Sequence, residues 1–211
     1  MLYLPVSMAK HVARRNKRDS AKESIRKAAA ELFAKKGFAA TSTREICQRA
    51  GITKPVLYYH FGSKEQLFRD LILDACNESR KQLLLASQRG KTAQEKLIEV
   101  IAADFALTRR NPSLSRMFFR MIFATEKGSP GFDYIEMGME WLRLLEGIVR
   151  EGIRRGEMKG RAREIAEALM GVHTLYTMGF LLTGEPPLGR PLAQRMVQLL
   201  LKGCKGNSTA R

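Results

Sequence analysis

Residues 43–61 read Thr43-Arg44-Glu45-Ile46-Cys47-Gln48-Arg49-Ala50-Gly51-Ile52-Thr53-Lys54-Pro55-Val56-Leu57-Tyr58-Tyr59-His60-Phe61. Two short helices joined by a tight turn satisfy this pattern. The small side chain of Cys47 lets two helices approach, Gly51 four residues later makes the turn, and Ile52 and Leu57 anchor the second helix on the first. Ser42 and Glu45 have the spacing of a capping box at the first start. Thr53 is placed to cap the second, and Pro55 sits in its first turn, where a missing amide hydrogen costs little. This spacing suits a helix-turn-helix, and it also suits a plain helical hairpin inside a bundle.

Working outward, Ser20 and Glu23 repeat the capping spacing and predict a helix start. Ile25, Ala28, Ala29, Leu32 and Phe33 then fall at helical intervals and give it an apolar face. Gly37 tolerates a left-handed stop, so this helix ends near Lys36. On the other side, Ser63 and Gln66 launch a longer helix through Leu67, Leu71, Ile72 and Ala75 toward Leu85. Further helices are expected from Thr92 to about Arg110, after Pro112, over roughly 133–155 and 162–182, and from about Pro191 to Lys202. A loop is expected at 127–131. No tandem repeat, low-complexity tract or strand-like alternation interrupts the series. The chain reads as all-α with about nine helices: a basic arm over 1–19, a three-helix unit over 20–66, a second helical unit over 67–203, and a frayed tail over 204–211.

The 211 residues, 45% of them hydrophobic, are enough to bury a real core in one or two compact units. Thirty-seven Lys and Arg against twenty-one Asp and Glu leave a formal charge of +16. An excess of that size favours polyanions. It is concentrated early, at Lys10, Arg14, Arg15, Lys17, Arg18, Lys22, Arg26, Lys27, Lys35 and Lys36, against Asp19, Glu23 and Glu31. Cys47, Cys76 and Cys204 are scattered and odd in number, which suits free thiols in a reducing cytoplasm. The start, apolar over 1–6 and basic only afterwards, has the wrong order for an export signal, and residues 1–7 read as a possible upstream start ahead of Met8. The uncharged stretch 168–184 approaches membrane-spanning length but holds Gly171, His173, Thr174, Tyr176, Thr177 and Gly179, so it is read as a helix between protein surfaces.

The run from Ser42 to Lys64, closing on Leu57-Tyr58-Tyr59-His60-Phe61-Gly62-Ser63-Lys64-Glu65-Gln66-Leu67, resembles the signature of the TetR family of transcriptional regulators. The resemblance covers roughly residues 20–70. Cys47 departs from it, standing where the family usually has Ala, and is small enough to keep the packing. The resemblance implies an amino-terminal helix-turn-helix that binds duplex DNA and a carboxy-terminal helical domain for ligand binding and dimerisation. It implies a repressor that binds a palindromic operator as a dimer and is released by a small, apolar or aromatic effector. An activator, or a non-specific basic module for nucleic acid or a membrane surface, is the alternative.

Lys54, Pro55 and Val56 would lie at the amino end of the recognition helix, with Lys54 able to donate to guanine and Val56 to meet a thymine methyl. Tyr58, Tyr59 and His60 offer donors to phosphates or base edges, Thr43 and Arg44 lie near the backbone, and Thr53 begins the recognition helix. Lys64 is expected beside a phosphate. The plain structural reading of Tyr58 and Tyr59 packs one ring inside; adjacent helical residues point about 100° apart, so both are not expected to be buried, and Tyr58 is the better DNA contact. His11, Arg14, Arg15, Lys17 and Arg18 could enter a groove as an arm.

An effector pocket is expected from Met117, Phe118, Met121, Phe123, Met137, Trp141 and Tyr176, a Met-rich and aromatic set. A dimer interface is expected from Ala166, Leu169, Met170, Val172, His173 and Phe180 with Met196, Leu199, Leu200 and Leu201, as half of a four-helix contact. His173 is read as a satisfied buried histidine or an interface residue. No metal, cofactor or membrane partner is expected. The sequence lacks a Gly-x-Ser-x-Gly elbow, a phosphate loop, a His-Glu-x-x-His pair and a Cys-x-x-Cys, which argues against an enzyme.

Overall fold

The computed structural model describes residues 6–123 and 134–202, with side chains described over 20–120, at 122 and over 136–202. Among the described residues the elements are all helices: α1 (Val6–Lys36), α2 (Thr43–Ala50), α3 (Lys54–Phe61), α4 (Lys64–Ser87), α5 (Ala93–Arg110), α6 (Pro112–Phe123), α7 (Tyr134–Arg154), α8 (Ala162–Thr183) and α9 (Arg190–Lys202). The loop expected at 127–131, the tail over 204–211, Cys204 and the side chains of the expected arm fall outside the described residues.

Contacts divide the chain into one unit of residues 1–74 and 116–132 and another of 75–115 and 133–211. The expected boundary after residue 66 falls inside α4, which runs unbroken. In the first unit, α1 contributes Ile25, Ala28, Ala29 and Phe33 to the interior, α2 Ile46 and Cys47, α3 Leu57 and Phe61, and α4 Leu67, Phe68, Leu71 and Ile72. Phe33, Phe38 and Phe68 form a ring cluster with centroids 5.1–5.6 Å apart, two of the pairs edge-on, as aromatic quadrupoles prefer.

One expected helix start is corrected. Ser20 lies within α1, which begins at Val6, and its carbonyl accepts from Ser24 Oγ at 2.9 Å, so the Ser20–Glu23 pair caps nothing. Capping spacing marks a start only where the preceding residues leave the helix, and here they continue it.

In the second unit, α5 is central and packs against α9, α7 and α8. Leu97, Val100, Ile101 and Phe105 of α5 meet Leu145 and Val149 of α7, Ala166 and Leu169 of α8, and Ala193, Met196 and Val197 of α9 in one apolar cluster. The start of α5 carries a complete capping box from Thr92 and Glu95. Lys96 pairs with Glu151 at 2.9 Å and Arg190 with Glu99 at 2.9 Å, tying α5 to α7 and α9. By length and composition α8 is long and apolar enough to cross a membrane.

Candidate nucleic-acid interface

The helix pair α2–α3 packs together and against α1. Ser42 accepts from the amide of Glu45 while the Glu45 carboxylate accepts from the Ser42 amide, so the expected capping box is complete. Glu45 is also ion-paired to Lys36 at the end of α1. The Lys36 ammonium first, and then the Ser42 amide and hydroxyl, hold the Glu45 carboxyl down at about 2. Arg49 Nε donates to Glu31 of α1 at 2.6 Å, a second tie between the same helices.

Gly51, at φ 66°, ends α2 in the left-handed region that glycine adopts without a Cβ penalty. The chain then enters α3 through extended Thr53, with Pro55 in the first turn. Thr53 stands at the cap position, but its side chain makes no capping hydrogen bond there.

With Leu57 and Phe61 buried beneath α3, the other face looks outward. Lys54, Pro55, Tyr58 and Tyr59 are exposed, Val56 and His60 half-buried. The plain reading that one of the tyrosine rings packs inside does not hold. Tyr58 is 46% and Tyr59 64% exposed, because Leu57 and Phe61, four residues apart, already supply the helix's inward stripe. Tyr59 meets His60 edge-on at 5.2 Å. Arg44 is exposed and Thr43 half-buried at the start of α2.

Lys64, expected beside a phosphate, is already engaged within the chain. Its ammonium donates to the carbonyls of Phe38 and Thr41, both at 3.0 Å, and lies 4.1 Å above the Phe38 ring. It holds the turn between α1 and α2, a contact across some two dozen residues that no local spacing announces.

Among the described residues no group of three or more His, Cys, Asp or Glu could hold a metal ion. The arrangement is an exposed basic and aromatic helix face, suited to docking on a polyanion.

The comparisons bear on this directly. The family model "Bacterial regulatory proteins, tetR family" matches residues 25–71, the segment that builds the braced pair. Over 204 residues the chain is 31% identical to the uncharacterized HTH-type transcriptional regulator YdgC of Bacillus subtilis, covering 88% of this chain and 94% of that one. The chain belongs to the TetR family. It is 29% identical over 148 residues to the HTH-type transcriptional repressor KstR2 of Mycolicibacterium smegmatis, 66% of this chain and 68% of that one. Its fold is that of the Bacillus subtilis regulator FadR solved with stearoyl-CoA, at a TM-score of 0.69 and 22% identity, covering 87% and 99% of the two chains. As a TetR-family member the chain is a DNA-binding transcriptional regulator, not an enzyme.

The TetR resemblance gave less guidance in the second unit. Of the expected pocket residues, Met117 and Phe118 belong to the first unit and Met137, Trp141 and Tyr176 to the second, while the Met121 and Phe123 side chains lie outside the described residues. Met117 is buried, Phe118 meets the ring of Phe119, and Met137 touches Cys76, sulfur to sulfur at 3.3 Å. Burial raises the Cys76 thiol to about 11. A cavity of about 580 Å³ in the second unit is lined instead by Lys96, Arg143, Leu144, Ile148, Glu151 and Arg155 among others. Its walls are charged and none of the expected residues line it.

The expected dimer set is corrected in part. Ala166, Leu169, His173 and Met196 are buried within this chain's own core and are unavailable to a partner. Met170, Val172, Phe180, Leu200 and Leu201 are half-buried. On the outer faces stand Leu175, Leu182 and Leu199, at 69%, 80% and 56% exposure, of which the sequence reading had named only Leu199.

Proposed function

We propose that this chain is a dimeric repressor, working in the cytoplasm, whose two α3 helices read a palindromic operator and which a small apolar or aromatic effector releases. The observation that carries the reading is the outward face of α3. Lys54, Pro55, Tyr58 and Tyr59 are exposed while Leu57 and Phe61 are sealed beneath, on a helix that packs on α2, which the Ser42 box and two ion pairs in turn tie to α1. Lys54 would donate to guanine edges and Val56 meet a thymine methyl, with the tyrosine hydroxyls, His60, Thr43 and Arg44 positioning the duplex.

The dimer is supported by α8. Gly171, Leu175 and Leu182 lie at intervals of four and seven on its exposed side, giving an uncharged stripe on a helix whose opposite side is already buried. A second copy, with Leu199 of α9 adding to the contact, covers that stripe. Half-sites one helical turn apart, about 34–36 Å, then require both heads at once, and an effector acts by spoiling their spacing.

Fluorescence anisotropy on the DNA flanking the gene, against a scrambled duplex at several salt concentrations, tests this. The expected result is a preference of at least about a thousandfold for the native fragment, lost in the Lys54→Ala, Tyr58→Phe double variant. Equal binding to both duplexes with a steep salt slope would reduce the chain to a non-specific basic binder.

A further inference from the structure

The core of the second unit holds polar atoms in otherwise apolar surroundings. His173 of α8 is 5% exposed. Its ring stacks on Phe105 of α5, centroids 5.1 Å apart and planes at 13°, and Trp141 of α7 meets it edge-on at 5.5 Å. Asp104 Oδ2 lies 2.8 Å from His173 Nε2, close enough to attract but out of line for a ring N–H hydrogen bond. Nδ1 has no hydrogen-bond partner, nor has Oγ1 of Thr177, a residue 2% exposed and one helical turn along the same face. A helical threonine commonly turns its hydroxyl back to the carbonyl four residues earlier. Thr183 of the same helix does so, to Gly179 at 2.9 Å, and Thr177 does not. Buried polar groups are paired in almost every fold, because leaving them unpaired forfeits hydration without return.

We propose that His173 and Thr177 are the polar anchor of the effector site, taking a hydroxyl group carried on an uncharged, otherwise apolar or aromatic molecule. The inference rests on reading the second unit as the effector-binding one. The nearby Asp104 carboxylate favours the ring proton on Nε2, which leaves Nδ1 as a bare acceptor. Thr177 can donate in turn. A hydroxyl donates to Nδ1 and accepts from Oγ1, so one oxygen answers both atoms. A carbonyl can only accept, and would leave Nδ1 unanswered. A carboxylate or ammonium would bring a charge into a core whose neighbours include Ile101, Leu145 and Leu169. Phe105 and Trp141 supply the flat apolar faces such a molecule needs.

The test uses p-cresol and toluene, which differ by the hydroxyl. Trp141 is the only tryptophan, so its indole N–H gives a single tryptophan indole signal in a ¹H–¹⁵N spectrum of the full chain. The expected result is a saturable shift with p-cresol at an affinity about tenfold or more above that for toluene. Thr177→Val, nearly isosteric, and His173→Phe, which keeps a ring against Phe105, should each bring the two affinities together. Thr177→Val guards the test if His173→Phe fails to fold. Equal affinities in the unaltered chain, or no shift with either compound, overturn the proposal and leave the two atoms to solvent. The titration contains no DNA, so its failure leaves operator binding untouched. Saturable p-cresol binding that leaves operator affinity unchanged would retain the anchor and overturn the effector reading.

Discussion

Lys64 sits where a chain-only reading expects a phosphate contact, yet two of its three ammonium protons go to the Phe38 and Thr41 carbonyls. Lys64→Met keeps the stem and removes the donor. Urea unfolding should show a loss of about 1–2 kcal/mol, the cost of two under-satisfied carbonyls. The slope of log affinity against log salt should stay nearly constant, whereas losing a true phosphate contact would lower it by about one. A slope change without a stability change would return Lys64 to the DNA face. The outward placement of Tyr58, Lys54 and Pro55 was legible because a motif fixes their helix and burial of Leu57 and Phe61 follows from helical period. Lys64 was not, because its partners lie far away in sequence. The sequence reads His173 as a satisfied buried histidine or an interface residue, since periodicity reports that a side chain points inward but not whether its nitrogens find partners.

Among elements, α2 carries the most testable chemistry. Glu45 titrates ordinarily near 4.5 and in the folded chain at about 2. A depressed carboxyl stabilises the fold above its ordinary pKa, and that stabilisation drains away as pH falls through the folded value. The stability difference between the unaltered chain and Glu45→Gln should therefore be constant above about pH 5, shrink below pH 4.5 and be mostly lost by pH 2, disappearing below it. A difference that stays undiminished down to pH 2 would mean the glutamate acts through packing. Ser42→Ala, which removes the other half of the box, should cost about 1 kcal/mol at neutral pH by denaturant unfolding. The Ser42 and Thr92 boxes were readable because both partners lie within three residues. Ser20 and Glu23 share that spacing and failed because α1 already runs through them.

At the scale of the whole molecule, the proposed dimer rests on the outward leucines of α8. Leu175→Glu with Leu182→Glu should give a folded monomer by sedimentation velocity, with helicity unchanged and operator affinity down by about a hundredfold or more once the two heads are unlinked. A dimer that survives both charges would place the interface elsewhere. The sequence showed that α8 is apolar over most of its surface. It could not show which side the chain's own α5, α7 and α9 would claim, and so it offered Ala166, Leu169 and Met196 to a partner when they are core.

The Phe33–Phe38–Phe68 cluster bears on how such regulators can be recombined. Phe68 belongs to α4, as do Leu67, Leu71 and Ile72, and all four close the bottom of the DNA-reading head. A chimera spliced after Gln66, where the recognisable motif runs out, would leave two phenylalanines facing solvent and a hole where the third had been. The transplantable reader of this chain ends no earlier than Asp74, several residues inside a helix that gives no outward sign of a seam.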